Sequence, residues 1–284
     1  MNAFYTIFAF LLGLGIGSFL NVVAFRYNTG LSFARGRSKC FSCGKTLYWY
    51  ELVPLASFFI QKGKCRGCGS KLSLQYPVVE LLTGIVFAGI FQKFYSEGLS
   101  APILLVVAVY FAVIWSILIV ILVYDARHKI IPDGLAFAFA GLVFAKLFIT
   151  VSAASFSFYI PELSSLLAGP IVALPFFFLW LVSSGRWMGL GDAKLALGIG
   201  WLLGIVYGFS AVILAFWIGA AVGLLLILLN TLGKKNRLAH KMIVSLGSPN
   251  FILKSEIPFA PFLILGIAIV FFLGIDVTGL SSLL

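Results

Sequence analysis

Long apolar runs constrain this chain more than any other feature of its sequence. The first run, Phe4 to Val23, has roughly the 20 residues that a helix needs to cross about 30 Å of hydrocarbon. It lacks the basic start of a cleavable signal peptide, so we expect it to remain as a span. Further runs follow to the end of the chain, and the predicted spans are 4–23, 77–95, 102–123, 134–150, 165–183, 195–207, 209–230 and 258–275.

Charged residues make up only 10% of the chain, whereas a soluble domain carries about a quarter. The sequence therefore predicts an all-α polytopic membrane protein with about eight transmembrane helices. Of its 20 Lys and Arg residues, 18 lie in residues 24–76 and in the loops after the third, fifth and seventh spans. This asymmetry places those loops on the cytoplasmic side. Because topology accounts for the net charge of +11, we do not expect nucleic acid binding.

The first cytoplasmic loop carries two C-x-x-C pairs, Cys40 with Cys43 and Cys65 with Cys68, separated by 21 residues. That spacing lies just beyond the usual range for four-cysteine zinc sites, and four thiolates can surround one zinc ion at about 2.3 Å. Two disulfides are the alternative, which a reducing cytoplasm disfavours. We therefore predict a small zinc-binding domain. Since protein fills all four positions, the zinc should be structural rather than catalytic.

Two aspartates at the edge of the apolar segments are the strongest candidates for chemistry. Asp192 ends a Gly-x-Gly-Asp motif that contains Gly189 and Gly191, and Asp125 ends the third span. A carboxylate in such a place is costly, and the helix dipole disfavours a negative charge at a helix C-terminus. The glycines allow the backbone to approach an extended peptide, and Lys194 either anchors at the interface or biases the nearby carboxylate.

Paired carboxylates of this kind suit aspartic protease chemistry. Two neighbouring aspartates share one proton, so one member can take a proton from water while the other polarises a carbonyl. We therefore interpret Asp125 and Asp192 as the catalytic pair of a membrane protease. For Asp133, an N-cap of the fourth span is the preferred interpretation.

Several polar and small residues near the first two spans have structural as well as functional interpretations. Arg26 either snorkels to the interface or serves a site, and Glu80 either complements a helix dipole or acts in chemistry. Gly13, Gly15 and Gly17 favour close helix packing over a nucleotide-binding loop, because no βαβ pattern surrounds them.

Taken in order, these motifs resemble the bacterial prepilin peptidases, or type IV leader peptidases. Two departures from that pattern, Tyr124 where Phe is common and Ala260 where Gly is frequent, do not touch the chemistry. The matching stretches are 17–23 with Arg26, the two cysteine pairs, 76–81, 125–133, 189–195 and 257–262.

The resemblance implies an aspartic endopeptidase of the Gly-x-Gly-Asp membrane class, with Asp125 and Asp192 as its catalytic residues. Its substrates would be type IV prepilins and type II secretion pseudopilins, cleaved after the Gly that ends a basic leader. Members with the long cysteine-bearing loop also N-methylate the new terminal residue with S-adenosylmethionine. We nominate Asn21, Arg26 and Glu80 for that methyltransferase site, because all three lie at the cytoplasmic end of the first two spans.

The expected organisation is a first transmembrane helix at 1–25, a cytoplasmic zinc domain at 26–75 and a helical peptidase core at 76–284 in the bacterial inner membrane. Two other classes remain open. A secondary transporter would use the aspartates as cation carriers, but it leaves the cysteine loop without a role. A membrane adaptor would use that loop for docking, but it leaves the aspartates unexplained. A flux assay tests the first alternative and a peptide cleavage assay tests the second.

Overall fold

The computed structural model of the chain describes residues 2–153, 155–233 and 258–279. The predicted basic loop from Lys234 to Lys241 lies outside the described residues, as does Ile257 of the last motif. The described part is mostly helical. Its elements are α1 (Asn2–Arg26), a 3₁₀ helix (Trp49–Glu51), α2 (Ala56–Ile60), α3 (Gln75–Ser96), α4 (Ala101–His128), α5 (Asp133–Lys146), β1 (Ile149–Val151), β2 (Phe156–Phe158), α6 (Leu163–Ser183), α7 (Leu190–Gly233) and α8 (Ala260–Leu273).

Five helices among the described residues are long and apolar enough to cross a membrane: α1, α3, α4, α6 and α7. The helices α5 and α8 have 14 residues each, which is short for a perpendicular span. Within α7, Gly204 has a non-helical φ of 79° and ψ of −178°, so the helix changes direction inside the predicted sixth span, three residues before its end. The chain is thus a helical membrane protein, and the count of eight spans stays a prediction.

The connection around α5 differs from the sequence prediction in two ways. Strands β1 and β2 form an antiparallel hairpin in which Ile149 pairs with Phe158, so the helix that was predicted to run to residue 150 ends at Lys146. The N-cap prediction for Asp133 is wrong, because Pro132 occupies the cap with an extended backbone and Asp133 opens the helix. The carboxylate of Asp133 still lies in the first turn, where the helix dipole favours a negative charge.

The chain divides into two compact units. The first comprises Met1–Tyr124 and Pro132–Glu162, and the second comprises Asp125–Ile131 and Leu163–Leu284. Within the first unit, α1 packs tightly along α3 through two of its glycines. A Cβ on Gly13 would lie 2.7 Å from the Thr83 carbonyl oxygen, and one on Gly17 would lie 2.8 Å from the Glu80 Cα. Close helix packing is therefore confirmed at these two glycines, whereas Gly15 faces open space.

In the second unit, α6 and α7 are joined by a hydrogen bond at a proline. Pro170 lies inside α6 and has no N–H, so the Leu166 carbonyl one turn earlier lacks its helical donor. The Trp201 indole on α7 donates to that carbonyl at 2.9 Å. Helix α8 also packs directly on α7, since a Cβ on Gly266 would run into the Ala211 carbonyl.

Candidate active site and metal centre

The four cysteines form one cluster with the dimensions of a tetrahedral metal site. Their sulfur atoms all lie within 4.8 Å of one another, and the Sγ atoms of Cys40 and Cys68 are 3.9 Å apart. A tetrahedron with metal–sulfur bonds of about 2.3 Å needs sulfur atoms about 3.8 Å apart. All four are free cysteines, so the disulfide alternative is not realised. The donor set therefore fits a metal such as zinc.

Two turns of the same design present these thiols. In the first cysteine turn the Gly44 N–H donates to the Cys40 carbonyl, and in the second the Gly69 N–H donates to the Cys65 carbonyl, both at 2.9 Å. Gly44 and Gly69 both have a φ of 71°, which a residue with a Cβ rarely adopts. Each turn thus requires a glycine after its cysteine pair, because of the backbone conformation there. A C-x-x-C-G pattern in the sequence indicates this requirement.

The electrostatics of the loop favour a thiolate at two of the four cysteines, Cys40 and Cys68. Backbone N–H groups of Cys43 and Ser42 lower the pKa of the Cys40 thiol to about 6. A thiol must lose its proton to bind a metal, so these donors prepare the ligand.

Glu51 is a structural residue of this loop that the sequence analysis did not identify. Its buried carboxylate accepts the Tyr48 N–H at 2.9 Å and pairs with the Lys45 ammonium at 3.1 Å. The Tyr48 N–H, with Lys45, lowers the pKa of Glu51. The sequence does contain one sign of the role of Glu51, because no other acid lies between residues 27 and 75.

The three residues nominated for methyl transfer each connect a helix end to neighbouring backbone. Asn21 is buried, and its amide nitrogen donates to the carbonyls of Gly17 at 3.2 Å and Tyr76 at 3.3 Å. Because Tyr76 belongs to α3, Asn21 ties the end of α1 to the start of α3.

Arg26 and Glu80 hold the cysteine-bearing loop itself. The Arg26 guanidinium donates to backbone carbonyls of Ser32, Arg35 and Arg37. The Glu80 carboxylate, buried on α3, accepts the Leu55 N–H at 2.8 Å. These contacts give all three nominated residues a structural role, whatever chemistry they also serve.

The two aspartates come together in the second unit. Asp125 lies in the last turn of α4 and is 4% exposed, and Asp192 lies in the first turn of α7 and is 8% exposed. Their carboxylates are close enough to interact electrostatically. The fold thus pairs two buried acids that are 67 positions apart in the sequence.

The two carboxylates differ in their hydrogen bonds. The Ala260 N–H, at the start of α8, donates to Asp125 Oδ2 at 3.1 Å. The buried Oδ1 of Asp192 has no hydrogen-bond partner in the part of the chain that the structure describes. In the sequence, residues 257–262 only matched the family pattern, and they gave no indication that this helix start would hold a catalytic candidate. The unpartnered oxygen is available to water or to a substrate carbonyl.

The glycines of the Gly-x-Gly-Asp motif play different structural parts. A Cβ on Gly191 would lie 2.8 Å from the Ile131 Cβ, so this position requires close approach. A Cβ on Gly189 would have no neighbour nearer than 3.7 Å, at Asp192 Oδ2. The Gly189 carbonyl instead accepts the Asp192 N–H at 3.2 Å and closes the turn.

An apolar cavity of about 310 Å³ lies between α6 and α7, and its lining includes Ala193, the residue after Asp192. Lys194 contributes the only charged side chain among its lining residues. Those residues are Pro170, Ala173, Leu174, Phe177, Leu190, Ala193, Lys194 and Leu197.

Long apolar helices define a polytopic helical membrane protein. It also carries a four-cysteine cluster that could hold a metal and two buried acids that form a candidate site. Comparison with known sequences names the family. Residues 11–94 match the Bacterial Peptidase A24 N-terminal domain, and residues 111–224 match the Type IV leader peptidase family.

Several relatives carry the name prepilin leader peptidase/N-methyltransferase. The protein from Bacillus subtilis (strain 168) is 32% identical over 84% of this chain and 90% of its own length. The Klebsiella pneumoniae protein is 32% identical over 69% of this chain and 84% of its own. The Myxococcus xanthus (strain DK1622) protein is 33% identical over 79% of this chain, which covers 64% of that relative. No solved structure matches. The chain belongs to the type IV leader peptidase family.

Proposed function

We propose that this chain is a membrane aspartic endopeptidase that removes the leader peptide of type IV prepilins and pseudopilins after Gly, and that it N-methylates the new terminus. The observation that carries the proposal is the pairing of the buried acids Asp125 and Asp192. Family membership and the printed names of the relatives support both activities.

The two carboxylates supply the chemistry of peptide hydrolysis. One takes a proton from water as the oxygen attacks the scissile carbonyl, and the other donates a proton that stabilises the tetrahedral intermediate. The proton taken from water then passes to the leaving amine, and the intermediate returns the other proton to the second carboxylate as the carbonyl re-forms, so the dyad again shares one proton. The Ala260 N–H fixes the orientation of Asp125 during these steps, while Asp192 Oδ1 faces no competing donor among the described residues.

The apolar cavity between α6 and α7 supports an apolar substrate helix. Its walls are helix surfaces of α6 and α7, and Ala193 and Lys194 follow the catalytic candidate directly. A hydrophobic mature segment of a pilin can pack there and place the preceding Gly near the acids. Burial of such apolar surface favours the complex by roughly 25 cal/mol per Å².

The decisive test is leader cleavage by the purified full-length protein and its Asp125→Asn and Asp192→Asn variants. Each variant keeps the shape of the side chain but removes the acid, so we expect loss of cleavage by at least about 10⁴-fold. Mass spectrometry of a prepilin substrate measures the product. Zinc content and helical circular dichroism of each variant should equal those of the wild type.

Normal cleavage by either variant would contradict the assignment of the pair. A folded wild-type protein that left every prepilin and pseudopilin intact would instead favour the transporter interpretation, which a proteoliposome flux assay would then examine.

For methyl transfer, we propose that Asn21, Arg26 and Glu80 contribute to a site at the membrane end of the cysteine loop. Their support is positional, because each connects this loop or the start of α3 to a span. S-adenosylmethionine would supply the methyl group, and the substrate amine would lose a proton as it accepts it.

We also propose that structural Zn²⁺ is held by Cys40, Cys43, Cys65 and Cys68. About eight helices cross the bacterial inner membrane. Residues 26–75 form a cytoplasmic domain between a first helix at 1–25 and a peptidase core at 76–284. The thiol geometry supports the metal. The asymmetry of Lys and Arg supports the orientation.

A further inference from the structure

Residues 49–60, which we call the aromatic segment, carry exposed apolar side chains that neither the metal site nor the peptidase chemistry uses. The segment contains the 3₁₀ helix and α2. Trp49 is 78% exposed, Phe59 is 70% exposed and Ile60 is 69% exposed. Large apolar side chains clustered this openly on a small domain indicate an interaction surface.

A hydrogen bond fixes the depth of the aromatic segment along α3. The Leu55 N–H donates to Glu80, the sixth residue of α3, at 2.8 Å. Since a helix rises about 1.5 Å per residue, Glu80 lies roughly 8 Å along α3 from its first residue, and Leu55 is held beside it. At that depth a span passes from lipid headgroups into hydrocarbon, so the neighbouring exposed side chains are level with the bilayer interface.

The charges around the segment complement lipid phosphates. Residues 27–75 contain eight Lys and Arg residues and one acid, the buried Glu51. Lys45 lies over the Tyr48 ring at 5.4 Å, and Arg66 lies over the Tyr50 ring at 5.3 Å. Aromatic rings with adjoining cations are typical of side chains at a membrane–water interface.

A cavity of about 350 Å³ at α2 has the same mixed chemistry. Its apolar side chains suit the upper part of an acyl chain, and its ammonium groups suit a phosphate. The lining residues are Phe58, Phe59, Lys62, Gly63, Lys64, Lys71, Leu72 and Leu74.

We propose that the aromatic segment inserts into the headgroup region of the bilayer beside α3, with its Lys and Arg neighbours bound to phospholipid phosphates. The metal-binding loop is then a membrane-surface domain anchored at its middle as well as at its two ends. This inference rests on the assignment of α3 as a span and is independent of the peptidase activity.

Tryptophan quenching in nanodiscs tests the insertion with the full-length protein. Tryptophan fluorescence is measured in nanodiscs of plain phospholipid and in nanodiscs of phospholipid brominated near the headgroup end of the acyl chains. The contribution of Trp49 to the fluorescence is the difference between the wild type and Trp49→Phe. We expect brominated lipid to remove roughly half or more of that contribution, because an interfacial side chain lies about 5–10 Å deep. Trp217, 62% exposed on α7, is the positive control, measured with Trp217→Phe.

A second reporter extends the test to α2. The Phe59→Trp substitution in the Trp49→Phe background should show the same quenching and should be protected from aqueous acrylamide in nanodiscs. Zinc content and leader cleavage of each variant verify that the fold is retained. Quenching at Trp217 without quenching at residues 49 and 59 would overturn the proposal. If an added protein, rather than the bilayer, protected residues 49 and 59 from acrylamide, the surface would be assigned to that protein instead.

Discussion

At the residue scale, the hydrogen bond and the charge of Glu80 can be separated. In Glu80→Gln the amide oxygen can still accept the Leu55 N–H, whereas Glu80→Ala removes the acceptor and costs about 1–3 kcal/mol. If the carboxylate serves methyl transfer, we expect Glu80→Gln to reduce methylation at least about tenfold while leader cleavage stays unchanged. The added methyl group is measured by mass spectrometry of the cleaved pilin. If Glu80→Gln methylated fully and only Glu80→Ala lost methylation, the role of Glu80 would be purely structural.

The two glycines before Asp192 offer a matched pair of variants at the same scale. Gly191→Ala places a Cβ 2.8 Å from the Ile131 Cβ, which must displace the turn that carries Asp192. A shift of about 1 Å in a catalytic group can cost around 10²-fold in rate, so we expect a loss of that order in cleavage. Gly189→Ala meets no atom within 3.7 Å and should retain most of the activity, as measured with the same peptide assay. Equal losses in both variants would show that the contact with Ile131 is not what restricts this position.

At the element scale, the pairing of α6 with α7 depends on the carbonyl that Pro170 leaves without a helical donor. Trp201→Phe removes the indole N–H from Leu166, and we expect a loss of about 1–3 kcal/mol in unfolding free energy. In a Pro170→Ala background the backbone N–H of residue 170 can serve the same carbonyl, so Trp201→Phe should cost less there. Thermal unfolding of the four proteins in detergent measures this cycle. An identical cost in both backgrounds would exclude the hydrogen bond as its cause.

At the scale of the whole molecule, the eight-span topology predicts the side of each loop. Bacterial alkaline phosphatase, which is active only outside the cytoplasm, should be active when fused after Gly98, Ile160 or Gly208 and inactive when fused after Arg35 or Arg186. The physical reason is that basic loops are retained in the cytoplasm. Activity in whole cells provides the measurement, with expression checked by immunoblot. An inactive fusion after Ile160 would mean that α5 does not cross, and an inactive fusion after Gly208 would mean that α7 crosses once.

Much of this protein follows from local sequence alone. The apolar runs predict the spans, because only a helix can satisfy its backbone within hydrocarbon. The cysteine pairs predict the metal cluster, because each C-x-x-C-G turn is a local structure that needs few long-range contacts. The aspartates stood out because an acid next to hydrocarbon is costly without a function.

Only the tertiary structure decided how distant segments complete the sites. The Ala260 N–H that holds Asp125 and the Trp201 indole that serves Leu166 come from helices far away in the sequence. The same is true of the Leu55 N–H on Glu80, which sets the depth of the aromatic segment. A backbone donor is present at nearly every residue, so sequence patterns carry no mark of which one will be used. Side-chain packing between helices makes that selection, and it exists only once the chain has folded.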